Sequence, residues 1–109
     1  MTKFVSLFKY SPEGYRHLLK EKATYREEAL RHAFSSVGGK LDAVYWMDSG
    51  DYTAIVIGES SEEGASIAFH ATDAASGIVA EQRIYRVFTS EETDKALSGF
   101  ARPRRDTEA

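Results

Sequence analysis

The chain has 109 residues, of which 42% are hydrophobic and 28% charged, with a formal net charge of −3 and no cysteine. One soluble domain of this length buries a modest core. The acidic balance gives no electrostatic case for nucleic acid. The missing thiols exclude disulfides, thiolate nucleophiles, iron–sulfur ligation and zinc–thiolate sites, and no apolar stretch approaches the ~20 residues of a spanning helix.

The opening, MTKFVSLFKYSPEG, carries Lys9 inside its apolar run and alternates as a strand does, so a signal peptide is not expected and a cytoplasmic location is. Phe4 to Tyr10 reads as the first strand, with Phe4, Ser6, Phe8 and Tyr10 on one face and Val5, Leu7 and Lys9 on the other. Ser11-Pro12 ends it, Ser as helix cap and Pro in the first helical position. A helical region follows from Pro12 to about Val37, with a break expected near Lys22 to Thr24. Its second part is marked by Ala29, Leu30, Ala33, Phe34 and Val37 at three- and four-residue steps. Gly38-Gly39 stops it, one of the two taking the left-handed conformation.

Leu41 to Gly58, LDAVYWMDSGDYTAIVIG, reads as a hairpin around Ser49-Gly50. A two-residue turn there sets Tyr45 opposite Ala54 and Trp46 opposite Thr53. That register gathers Leu41, Ala43, Tyr45, Met47, Tyr52, Ala54 and Val56 on one face, with Val44, Trp46, Ile55 and Ile57 on the other. Ser60 to Glu63 matches a capping box for a helix reaching about Ser76, with Ala65, Ala68, Phe69 and Thr72 as its inner stripe. Gly77 closes that helix. Ile78 to Phe88 forms a fourth strand, and Thr89 to Glu92 is a second capping box opening a short helix to about Leu97. The expected domain is 1–99, with 100–109 a flexible, arginine-rich tail.

The order β-α-β-β-α-β is that of an α+β, ferredoxin-like fold: a four-stranded antiparallel sheet with helices on one face. The middle strands are apolar on both faces, which strands buried on both faces require. A bare second face would expose more than the few hundred Å² a soluble monomer tolerates. The expected assembly is therefore a homodimer packed sheet to sheet, closing into a dimeric α/β barrel.

Gly50-Asp51-Tyr52 begins a specific likeness. FVSLFKYSPEG near the start, VGGKL at 37–41, Tyr45, YTAIVIGE at 52–59 and RVFTSEE at 86–92 occur in the order found in GYD-domain proteins. The chain resembles that family over most of its length. The resemblance implies a ferredoxin-like fold of the dimeric α/β-barrel type. Relatives at the level of fold include cofactor-free monooxygenases and small-ligand-binding domains, and carrying either activity here is fold analogy. Trp46, where an aliphatic residue is usual, and the arginine-rich tail depart from the family's pattern.

Turn chemistry accounts for Gly50, whereas Asp51 and Tyr52 sit where loops often line sites. His17, His32 and His70 have no ligand-pair spacing, so neither a metal nor a cofactor is expected. His70, beside the inner stripe of its helix, is a weak candidate for a catalytic general base. Tyr10, Tyr45, Asp51, Tyr52 and His70 are the candidate ligand-binding residues, around an apolar pocket with Tyr hydroxyls suited to a small hydrophobic or aromatic molecule. Glu81, Arg83 and Arg86 read as charges guarding an edge strand. Three functions fit: a small-molecule-binding homodimer, a cofactor-free oxygenase or isomerase acting on an aromatic or quinone-like metabolite, and an assembly module without a ligand.

Overall fold

The computed structural model describes residues 2–61 and 65–99. Strand β1 (Thr2–Tyr10) leads into helix α1 (Pro12–Glu21) through Ser11, whose Oγ accepts from the Gly14 amide at 3.2 Å. The same hydroxyl donates to the Gly77 carbonyl at 2.6 Å, tying this corner to the entry of the last strand. The expected break falls on Lys22, which stands between α1 and α2 (Ala23–Ser36) with a left-handed φ of 74°. Gly38, at φ 68°, turns the chain out of α2, a conformation a side chain resists.

Strands β2 (Gly39–Trp46) and β3 (Ala54–Ser60), helix α3 (Ala65–Ser76), strand β4 (Val79–Val87) and helix α4 (Ser90–Gly99) complete the described chain. All strand pairs are antiparallel in the order β2-β3-β1-β4, so the α+β, ferredoxin-like βαββαβ arrangement is present. The cap of α4 is reciprocal: the Glu92 amide donates to Thr89 Oγ1 at 3.0 Å and the Thr89 amide to Glu92 Oε1 at 2.8 Å. These bonds hold the Glu92 carboxyl below the usual carboxylate range. Ser60 is instead the last residue of β3, its hydroxyl donating to the Val37 carbonyl at 3.2 Å. Glu63 of the expected first capping box lies outside the described residues, as does the expected tail 100–109.

The hairpin differs from the two-residue turn that Ser49-Gly50 suggests. Trp46 pairs with Ala54 and Tyr45 with Ile55, one step from the expected register, and residues 47–53 form the connection. The ladder shifts between Leu41 and Ala43, where Asp42 is accommodated. Because side chains alternate, that single step reverses the faces of the rest of β2. Leu41, Val44 and Trp46 join Ala54 and Val56 in the core, while Ala43 and Tyr45 join Ile55 and Ile57 on the opposite face.

The helices cover the face carrying Phe8 and Tyr10, against which Leu18 of α1, Leu30 and Phe34 of α2 and Phe69 of α3 pack. Among the described residues no helix is packed over the other face. At its centre Val5 pairs with Ile57 and Leu7 with Ile55, flanked by Tyr45, which is 62% exposed, and by Tyr85.

Candidate functional site

Five elements meet between the helices and the sheet, β3 contributing Val56 and Ser60. From β1, the alternation of a strand sends Phe4, Ser6, Phe8 and Tyr10 to one side. From α2, Arg26, Leu30 and Phe34 recur every four residues, and from α3 Phe69 and Asp73 share the same spacing. β4 adds Val79, Gln82 and Ile84. Together they enclose a cavity of about 60 Å³, mostly apolar, with a few polar side chains. A wider recess of about 320 Å³ lies between α2 and α3, and the two spaces share Arg26, Leu30, Phe69 and Asp73.

The apolar lining is built of rings. Phe34 and Phe69 stack with centroids 4.8 Å apart, which joins α2 to α3 above Gly58. The Tyr10 ring packs on Phe8 at 5.1 Å and Trp46 at 6.3 Å, and Tyr15 meets it edge-on at 5.8 Å.

The polar lining has two parts. On one side the Arg26 Nε donates to the Tyr10 hydroxyl at 3.2 Å. On the other, Gln82 Nε2 donates both to Asp73 Oδ2 at 2.9 Å and to Ser6 Oγ at 3.2 Å. With its amide nitrogen thus engaged, Gln82 Oε1 is buried and has no hydrogen-bond partner among the described residues. Burial raises the Asp73 carboxyl above its ordinary value, opposed by the Gln82 bond and by the charges of Arg26 and His70. The result is a carboxyl displaced toward its neutral form beside aromatic rings, a combination suited to hydrogen bonding and to proton transfer.

Of the residues proposed from the sequence, Tyr10 lines the cavity. His70 is exposed on α3, one turn before Asp73, and is not among the cavity's lining residues. Tyr45 stands on the opposite face of the sheet. Asp51 is exposed in the β2–β3 connection, its amide donating to Ser49 Oγ at 3.0 Å. Tyr52, in the same connection, accepts from Arg83 Nε at 2.6 Å. The structure therefore separates Tyr10 from Tyr45, Asp51 and Tyr52.

Arg26, Asp73 and Gln82 carry the polar chemistry of the cavity and were not singled out by motif or turn signals. A usable signal exists in spacing: Asp73 lies four residues after Phe69, Arg26 four before Leu30, and Gln82 two before Ile84. Polar residues at inward-facing positions mark a lined pocket when nothing else does. Among the described residues no group of three His, Cys, Asp or Glu side chains is placed to hold a metal ion.

No helix among the described residues is long and apolar enough to cross a membrane. No curated protein matches the chain. The family model of the GYD domain matches residues 4–97, which spans β1 through most of α4 and takes in the whole cavity lining. The chain belongs to the GYD domain family.

Proposed function

We propose that this GYD-domain protein binds a small molecule in the cleft between α2, α3 and the sheet, and that it works as a homodimer. One observation carries the binding reading: rings from β1, α2 and α3 meet around a space that ends in an Arg26–Tyr10 pair on one side and an Asp73–Gln82–Ser6 chain on the other. A structural core of this size needs neither polar group, and each costs free energy to bury. Both become useful when a ligand with a polar end and an apolar body occupies the space. The dimer follows from the second sheet face, where Val5, Leu7, Ile55 and Ile57 form an apolar centre. A cytoplasmic setting suits a chain without cysteine.

Native mass spectrometry of freshly purified protein tests the binding reading. The expected spectrum contains a small-molecule adduct that Phe69→Trp, which fills the cavity, removes. A spectrum without adduct, together with no binding across a fragment library by ligand-observed NMR, would leave the assembly reading instead.

A catalytic reading has one observation in its favour, the raised Asp73 carboxyl facing the cavity rings. In that reading Asp73, rather than His70, is the group that exchanges a proton with a bound hydroxy-aromatic or quinone-like molecule. Asp73→Asn abolishes such turnover while retaining binding; turnover that survives it removes the reading.

A further inference from the structure

We infer that Arg26 anchors the head group of an anionic ligand, and that the molecule taken up in the cleft is a small apolar carboxylate. The inference rests on the ligand-binding reading of the cleft and adds the ligand's charge and its contact. Arg26 sits on the inward side of α2, half-buried, where the inner cavity opens into the recess between α2 and α3. Its Nε is engaged by the Tyr10 hydroxyl at 3.2 Å, which orients the guanidinium plane. The terminal nitrogens have no hydrogen-bond partner among the described residues, and no carboxylate there lies within 4.0 Å of them.

The other described arginines are occupied. Arg16 pairs with Glu13 at 2.8 Å, Arg31 with Glu27 at 3.1 Å, and Arg83 with Glu81 at 3.4 Å, while Arg86 stands over the Phe88 ring at 5.2 Å. Arg26 thus combines partial burial, a fixed plane and free donors. A guanidinium partly withdrawn from water with no carboxylate in contact among the described residues is under-paired, and a ligand carboxylate matches its two parallel N–H groups. Asp73 does not fill that role: its carboxylate oxygen is taken by Gln82 at 2.9 Å, and it reaches Arg26 only through its field, with no hydrogen bond between them. One cation facing rings suits a monoanion with an apolar body. Phosphate groups call for more positive charge than the cavity lining supplies.

The test is titration of the full-length protein with benzoate and with its neutral isostere benzamide at pH 7.5, followed by ligand-observed NMR. The wild-type protein should bind benzoate at least tenfold more tightly than benzamide. In Arg26→Met, shown to be folded by circular dichroism, the two affinities should converge to within about twofold, and Arg26→Lys should restore an intermediate preference. Equal affinities in the wild type, or a benzoate preference that survives Arg26→Met, would overturn the anchor while leaving the cleft as a binding site. Binding of neither probe would overturn the anionic-ligand inference, whereas the binding reading of the cleft falls only with an adduct-free native spectrum and an empty fragment screen.

Discussion

The Phe34 ring edge lies directly over Gly58: a Cβ built on that glycine would fall 2.6 Å from Phe34 Cε1 and 2.8 Å from Cζ. The ring is buried and stacked on Phe69, so it has little freedom to yield, and the Lys40 carbonyl stands 3.0 Å away on another side. A small residue beside large ones is here an interlock that brings α2 down onto β3. Gly58→Ala should overpack this contact and cost about 1–3 kcal/mol. The change appears as a lower urea midpoint with an unchanged slope. Phe34→Leu should be less damaging in the Gly58→Ala background than alone; strictly additive losses would show that the ring is not what the new methyl meets.

Thr53 closes the ladder where β1 outruns β3. Backbone pairing between the two strands stops at Phe8 and Ala54, and the Thr53 amide donates to the Phe8 carbonyl at 2.7 Å. Beyond that point the Thr53 hydroxyl accepts from the Tyr10 amide at 2.9 Å and also bonds the Tyr15 hydroxyl at 2.8 Å. Thr53 and Tyr10 are each only 4% exposed, so water cannot replace the bond. Thr53→Val keeps the shape and orphans the amide, at a cost of about 1–3 kcal/mol. Thr53→Ser should recover most of that loss. Amide exchange reads the effect at Tyr10, and an unchanged protection factor there in Thr53→Val would refute the clamp.

Much of this architecture is legible in the residue pattern, because local chemistry and global fold agree. Ser11-Pro12, the Lys22 break, Gly38 and the Thr89–Glu92 box each mark a boundary the structure keeps. The hairpin register is not legible in the same way. A tight turn at Ser49-Gly50 satisfies local preferences, yet Thr53 is held by Phe8 and Tyr10 and the shift near Asp42 moves β2 by one step. Both are long-range contacts that no window of sequence contains. The cavity is hidden for a related reason. Tyr10 announces itself as an inward-facing aromatic, whereas Arg26, Asp73 and Gln82 resemble solvated helix and edge-strand residues until the packing of α2, α3 and β4 turns them inward.

The Asp73 carboxyl gives stability a pH dependence of definite sign. Burial raises its pKa in the folded chain above the unfolded value, so between the two values the folded state binds more protons. The contribution is fully present below the unfolded pKa of about 4 and is lost as pH rises through the folded pKa. Asp73→Asn carries the neutral form at every pH and can still accept from Gln82. It should match or exceed the wild-type urea midpoint at pH 7, and the two midpoints should converge as pH falls below about 4. A variant less stable than wild type at pH 7 would mean that the ionised carboxylate, with Gln82 and Arg26, is the preferred folded form.

The sheet face that no described helix covers is apolar at its centre and charged toward its edges, as the proposed dimer requires. Val5, Leu7, Ile55 and Ile57 pair across β1 and β3 at its centre, and Tyr45 and Tyr85 flank them. Charges stand toward the edges, with Lys3 3.2 Å from Asp42 and Arg83 3.4 Å from Glu81. Each of the four central aliphatic side chains is half-buried among the described residues. A second copy laid on this face would cover both tyrosine rings and the square between them. The wild-type protein should sediment as a dimer at micromolar concentration. Ile57→Glu places a charge in the middle of the face without touching the helix-covered core, and desolvating that charge in a dimer costs several kcal/mol. The variant should sediment as a monomer with unchanged circular dichroism. A monomeric wild type, or a variant that still dimerises, would show that this face is not where two copies meet.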